Sequence, residues 1–162
     1  MLLPIQPITA QWETGGSLNY KSEIPRTGIG LYAGRNLPFQ WATIGLKVRC
    51  GIDFFIGKSN NNSKTFTNES FHVDLIATLF YRYTSPYFGL STGVGYYSVN
   101  DLNKYIFFIG IPAGIKFPIT ELIQPFIEIN LNNYFSSFDI ALTKEDISSF
   151  QFTGKAGLII KF

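Results

Sequence analysis

The stretch FQFTGKAGLIIKF, from Phe150 to Phe162, decides the fold. Every second position except Gly154 is apolar: Phe150, Phe152, Ala156, Leu158, Ile160 and Phe162. This period of two predicts a β-strand with one apolar and one polar face. The stretch is thirteen residues long, whereas a soluble strand has about five or six and a tilted membrane-spanning strand needs about 9–11. Its length and pattern together predict a strand that crosses a membrane.

Seven earlier stretches alternate in the same way and are also predicted strands. They cover residues 11–20, 27–34, 41–56, 71–83, 87–99, 105–117 and 122–134. The third is the clearest, because one of its faces is entirely apolar: Ala42, Ile44, Leu46, Val48, Cys50, Ile52, Phe54 and Ile56. A helix does not keep a period of two for so long. The sequence therefore predicts eight strands.

The composition indicates one folded domain without a transmembrane helix. The chain has 162 residues, of which 46% are hydrophobic and 15% are charged, so it is not a disordered composition. No run approaches the roughly 18 consecutive apolar residues that a spanning helix needs. A closed β-barrel is the other way to pair every backbone group within a bilayer. The net charge of +2, without any Lys/Arg cluster, argues against a nucleic-acid partner.

The connections between the predicted strands differ in length. Short turns are predicted at 36–40, 84–86 and 118–121, whereas 57–70 and 135–149 are predicted as long loops from their polar composition. Outer-membrane barrels have short periplasmic turns and longer extracellular loops. We therefore expect both termini on the periplasmic side.

Aromatic residues fall near both ends of the predicted strands, as in the girdles of a membrane barrel. One level is predicted to contain Trp12, Trp41, Tyr81, Tyr83, Tyr87, Phe117 and Phe162. The other is predicted to contain Tyr20, Phe54, Phe71, Tyr96, Tyr105, Phe107, Phe150 and Phe152.

The first ten residues, MLLPIQPITA, are interpreted as the remnant of a secretory signal peptide, and residues 11–162 as the barrel domain. Cys50 is the only cysteine, so it has no partner for a disulfide or a metal site. It lies on an apolar face, where we expect it to be buried or to face lipid.

The end of the chain resembles the C-terminal assembly signal of bacterial outer-membrane barrels. The matching residues are Lys155, Gly157, Ile160 and Phe162. Together with residues 87–97 and 110–135, this resembles the small, OmpA/OmpX-like outer-membrane protein β-barrel family of Gram-negative bacteria, and especially its Bacteroidetes-type members. The resemblance implies an all-β, eight-stranded antiparallel up-and-down transmembrane β-barrel in a Gram-negative outer membrane. It also implies contact with outer-membrane lipid and insertion by the barrel-assembly machinery, but it does not fix an activity.

Charged residues lie on the polar faces of the predicted strands. They are predicted to form an ion-pair network in the lumen: Glu13, Lys47, Arg49, Asp53, Asp74, Arg82, Glu128 and Lys155. His72, Lys116 and Lys161 share these faces. An eight-stranded interior is only wide enough for its own side chains, which favours a structural network over a conduit. Glu128 and Lys155 should meet on neighbouring strands, with Arg49 approaching from across the lumen.

Two other kinds of site fit the sequence less well. His72 and Asp74 could form a general-base pair, as in lipid A-modifying rim enzymes, but Ser70 and Thr78 match no motif of those enzymes. Residues 60–62 are asparagines without a nearby carboxylate, which favours a solvated loop over a calcium site. We therefore predict no catalytic residue, no cofactor and no metal.

The predicted function is that of a non-enzymatic integral outer-membrane barrel with a structural or surface-interaction role in loops 57–70 and 135–149. An accessory subunit that contacts other outer-membrane proteins, a rim enzyme and a small pore remain alternatives. A soluble lipocalin-like barrel would need an apolar lumen, and the charged inward faces argue against it.

Overall fold

The computed structural model describes residues 11–21, 26–41, 43–58, 65–80, 83–99, 102–135 and 150–162. These residues form eight strands: β1 (Trp12–Lys21), β2 (Arg26–Trp41), β3 (Ile44–Lys58), β4 (Thr65–Leu79), β5 (Ser85–Val99), β6 (Leu102–Lys116), β7 (Ile123–Phe135) and β8 (Phe150–Lys161). No helix in these ranges is long and apolar enough to cross a membrane. The predicted N-terminal segment 1–10 lies outside the described residues.

The eight strands form one closed antiparallel barrel in which each strand pairs with the next. The barrel closes where β8 pairs with β1, with Lys161 opposite Glu13 and Thr153 opposite Lys21. The predicted fold class is therefore confirmed. We call the end at which β1 begins and β8 ends the terminal end, and the opposite end the loop end.

The period of two in the sequence separates an apolar outer wall from a polar lumen. Large apolar side chains project outward, and Leu18, for example, is 72% exposed. The neighbouring positions face the lumen and are buried, including Asn19, Lys47 and Asp74. A soluble protein rarely exposes so large a continuous apolar surface. This arrangement matches a barrel whose outer wall contacts lipid.

At the terminal end, the ends of β2 and β4 differ most from the predicted strand boundaries. Residues 36–40, predicted as a turn, belong to β2, which continues to Trp41. The pairing of β2 with β3 is irregular between Asn36 and Gln40. Pro38 lies within this irregular part, where a missing backbone N–H does not interrupt a regular ladder. Likewise, β4 ends at Leu79 rather than at position 83.

The predicted loop at 57–70 is also largely strand. β3 continues to Lys58, which pairs with Thr65 at the start of β4, so that only residues 59–64 separate the two strands. Polar composition does not distinguish a loop from a paired strand that leaves the apolar part of a membrane. Residues 136–149 lie outside the described residues.

Inward glycines make room for large side chains from neighbouring strands. A Cβ on Gly51 would lie 2.5 Å from His72 Nε2. A Cβ on Gly114 would lie 2.6 Å from the Tyr87 ring. Tyr87 is thus an inward side chain with 3% exposure, and its predicted place in the outer aromatic girdle is wrong.

Candidate functional site

The centre of the lumen is occupied by Arg49, which joins opposite walls of the barrel. Its Nε lies 2.6 Å from Asp74 Oδ2 on the adjacent strand β4. Its Nη1 lies 2.7 Å from Glu128 Oε2 on β7. All three residues are at most 2% exposed. The side chain of Arg49 is directed inward, and Gly34, opposite it on β2, has no side chain that would occupy the lumen beside it.

A second ion pair lies beside this one. Lys155 is directly opposite Glu128 in the β7–β8 register, as the sequence predicts, but their charged atoms are 4.0 Å apart. Lys155 Nζ lies closer to Asp53 Oδ2 on β3, at 2.8 Å. The other oxygen of Asp53 accepts a hydrogen bond of 2.7 Å from Asn19 Nδ2. The main partner of Lys155 is therefore Asp53, across the lumen.

His72 links the two ion pairs. Its Nδ1 lies 3.0 Å from Asp74 Oδ1, and its Nε2 lies 3.5 Å from Asp53 Oδ2. The ring is 3% exposed and lies within the lumen rather than at the rim. Both ring nitrogens therefore face carboxylates. In these contacts neither nitrogen is directed at a hydroxyl group that a general base would activate.

A separate layer lies toward the terminal end. Lys47 forms a salt bridge with Glu13, and both side chains are buried. Lys161 is opposite Glu13 in the β1–β8 register. Lys116 is buried, and its Nζ lies 5.1 Å from the centroid of the Tyr87 ring. This layer therefore contains three lysines around one glutamate.

Toward the loop end, the lumen contains a lysine among aromatic rings. Lys21 Nζ donates to Asn68 Oδ1 at 3.0 Å and to the Tyr134 hydroxyl at 3.5 Å. It also lies 4.5 Å from the centroid of the Phe55 ring. Tyr134 belongs to a buried cluster in this half of the lumen, together with Tyr97, Ile106 and Phe108.

The structure brings seven of the eight predicted network residues into these layers. The eighth, Arg82, lies outside the described residues. Ser70 and Thr78 are buried, and positions 60–62 are not described. Within the described ranges, no group of three or more His, Cys, Asp or Glu side chains is arranged to hold a metal ion.

The residues of the predicted assembly signal occupy both faces of β8. The side chain of Lys155 is buried in the lumen, whereas Ile160 is 46% and Phe162 is 71% exposed. The backbone of Phe162 exchanges hydrogen bonds with Trp12, at 3.1 and 3.0 Å. Recognition of these residues by the assembly machinery stays a prediction.

Three polar or aromatic contributors to the network are missing from the sequence-based prediction. The Tyr87 hydroxyl donates to Glu128 Oε2 at 2.8 Å. Asn19 supports Asp53, and the Tyr32 ring lies 5.3 Å from the guanidinium carbon of Arg49. The alternation of inward and outward side chains could have identified Tyr32 and Tyr87 as lumen residues, because their chain neighbours Leu31 and Phe88 face outward.

Together, the closed barrel, apolar wall and charged lumen define the fold of the small eight-stranded outer-membrane barrels. Solved structures with this fold include Neisserial surface protein A (NspA), with a TM-score of 0.56 and 13% identity over 94% of this chain and 96% of that one. The outer-membrane enzyme PagL has a TM-score of 0.58 and 14% identity, covering 91% and 98% of the two chains.

A third similar structure is Ail, the attachment invasion locus protein of Yersinia pestis, in complex with the heparin analogue sucrose octasulfate. Its TM-score is 0.57 at 10% identity, covering 94% of this chain and 97% of that one. No protein-family model matches the sequence, and no curated protein matches it. Similarity at these identities shows the fold and leaves the activity open.

Proposed function

We propose that the chain is a non-enzymatic integral barrel of a Gram-negative outer membrane, with a structural or surface-interaction role. The observation that carries this proposal is the Arg49 bridge between β3–β4 and β7, which fills the centre of the lumen with buried ion pairs. A lumen filled in this way serves as the interior packing of the barrel. Function then belongs to the surfaces outside the lumen.

The outer wall supports placement in the outer membrane. Outward side chains such as Leu90 and Ile127 are 62% and 59% exposed, and water would be an unfavourable environment for them. The similarity to the outer-membrane enzyme PagL supports the same location. In this proposal outer-membrane lipid covers the wall, the barrel-assembly machinery inserts the chain, and both termini face the periplasm.

A surface role would then fall to residues 136–149, between β7 and β8, which form the longest connection between strands at the loop end. Two of the similar structures carry names that refer to a surface or to attachment. PagL shows that the same fold also supports an enzyme. Here the pairing of both His72 nitrogens with carboxylates supports the non-enzymatic alternative.

Planar-bilayer recording of the purified barrel tests whether the lumen is closed. We expect no stable single-channel steps for the native chain, because Arg49 and its partners occupy the centre of the lumen. Glu128→Ala should increase the leak, since it removes one anchor of Arg49. Large, stable steps from the native chain would contradict the proposal and indicate a pore.

Two further measurements separate the remaining alternatives. Replacing His72 with Asn should leave the lipid A mass spectrum of an expressing strain unchanged, and a difference would indicate a rim enzyme. Extraction in mild detergent should give the barrel as a separate species. Stoichiometric co-purification with a second outer-membrane protein would instead indicate an accessory subunit.

A further inference from the structure

The layer at the terminal end of the lumen contains three lysines and a single carboxylate among its described residues. Its described ionisable residues are Glu13, Lys47, Lys116 and Lys161. Lys47 and Lys116 are 1% and 5% exposed. Glu13 is hydrogen-bonded to Lys47, so the single carboxylate of this layer is already engaged by one of its three lysines.

The acidic residues elsewhere in the lumen do not balance this excess. Asp74 and Glu128 contact Arg49, and Asp53 contacts Lys155. Lys116 lies within electrostatic range of Lys47 and Lys161 as well as of Glu13. Its Nζ lies 5.1 Å from the centroid of the Tyr87 ring. A cation–π contact compensates only part of the cost of burying an ammonium group.

Neutral groups at the same level could complete an anion site. Ser85 is opposite Lys116 in the β5–β6 register and is 6% exposed. Gln124, near the start of β7, is also 6% exposed. A hydroxyl and a side-chain amide both supply hydrogen-bond donors. Lys161 is only partly buried. Solvent therefore reaches this layer from the terminal end of the barrel.

We propose that the terminal end of the lumen binds a small anion of the phosphate or chloride class between Lys47, Lys116 and Lys161. The anion balances the excess charge and receives hydrogen bonds from the lysines and Ser85. The same chemistry could come from a free inorganic anion or from the phosphate of a lipid headgroup at the barrel mouth. The site does not depend on the role proposed for the loops.

Thermal unfolding in a non-ionic detergent tests the site, with folded barrel measured by its heat-modifiable gel mobility. The native chain is compared in sodium gluconate, chloride and phosphate at constant ionic strength, gluconate being too large for a filled lumen. Chloride or phosphate should raise Tm with the logarithm of its concentration once that concentration exceeds the dissociation constant, by roughly 3–6 °C at ten times the constant. Equal Tm values in the three salts would overturn the proposal.

Variants show where the anion binds. Lys116→Met should abolish the dependence on the anion, whereas Lys104→Met, the same change near the start of β6 at the loop end, should preserve it. A full dependence in Lys116→Met would overturn the proposal. If that variant does not fold, Lys161→Gln provides the test through the anion concentration at which Tm begins to rise, which should be several-fold higher. An unchanged concentration would then overturn the proposal.

Lipid vesicles distinguish the two sources of the anion. In gluconate, the native chain is compared in vesicles of phosphatidylcholine and in vesicles that also contain phosphatidylglycerol. If the headgroup is the occupant, phosphatidylglycerol should raise Tm in the native chain more than in Lys161→Gln. If a free anion is the occupant, added phosphate should raise Tm equally in both kinds of vesicle.

Discussion

Removing the charge of Lys155 should reveal which carboxylate it neutralises. Its Nζ lies 2.8 Å from Asp53 and 4.0 Å from Glu128. Lys155→Met leaves a buried carboxylate without its partner, which costs about 3–5 kcal/mol in the free energy of unfolding. The structure identifies that carboxylate as Asp53, because the contact is shorter and includes a hydrogen bond.

A second substitution should therefore have opposite effects at the two carboxylates. Adding Asp53→Asn to Lys155→Met removes the uncompensated charge and should restore about 2 kcal/mol, since the oxygen of the new amide can still accept the hydrogen bond from Asn19. Adding Glu128→Gln should instead cost a further ~2 kcal/mol, because Arg49 loses an ionic partner. The two double variants thus differ by roughly 4 kcal/mol.

The measurement is equilibrium unfolding by urea in lipid vesicles, followed by tryptophan fluorescence and checked by gel mobility. Lys104→Met, at a half-buried lysine of the loop end, is the matched control for the loss of a lysine and should lower the free energy of unfolding less than Lys155→Met does. The reasoning is refuted if Glu128→Gln restores the stability of Lys155→Met and Asp53→Asn does not. That result would favour the neighbouring-strand pair that the sequence predicts.

Three other perturbations give independent tests. Gly51→Ala should lower the free energy of unfolding by about 1–3 kcal/mol, because the new methyl group displaces His72; a neutral effect in urea unfolding would show that the ring has room. Deleting Phe162 should reduce the heat-modifiable folded fraction in cells far more than Lys161→Gln, since the assembly signal is expected to need an outward aromatic; equal fractions would argue against that signal. Protease added to intact cells should cut within 136–149 and spare the turn between β2 and β3, and the reverse pattern would show the opposite orientation.

The number of strands and their inward and outward faces could be predicted from the sequence because both depend on the period of two. The strand ends could not be predicted from the sequence, because polar residues and prolines occur both in turns and in strands that extend beyond the apolar part of the membrane. Residues 65–70 show this difficulty: they look like loop by composition, yet they pair with β3 and β5 as part of β4. Tyr87 shows a different error. It is predicted in the aromatic girdle because it is an aromatic residue near a strand end, although the alternation along β5 places its side chain in the lumen.

The network of charged residues in the lumen could also be predicted from the sequence only in part. Inward charges follow from the alternation, and the opposition of Glu128 and Lys155 follows from the order of neighbouring strands. The choice of Asp53 as the main partner of Lys155 depends on how far side chains reach across the lumen. That reach depends on the width of the barrel and on the positions of inward glycines, which a linear pattern does not contain.

The seam between β1 and β8 has a consequence for folding kinetics. The other strand pairs join neighbours in the chain and can form as hairpins, whereas Glu13 and Lys161 come together from almost opposite ends of the sequence. Contacts between distant residues form slowly, because the loop-closure entropy must be lost before they can stabilise the structure. Until the seam closes, β1 and β8 are open edges that other strands can join. The opposite charges of Glu13 and Lys161 favour the correct register at this step, so the risk of mispairing is concentrated in the interval before closure.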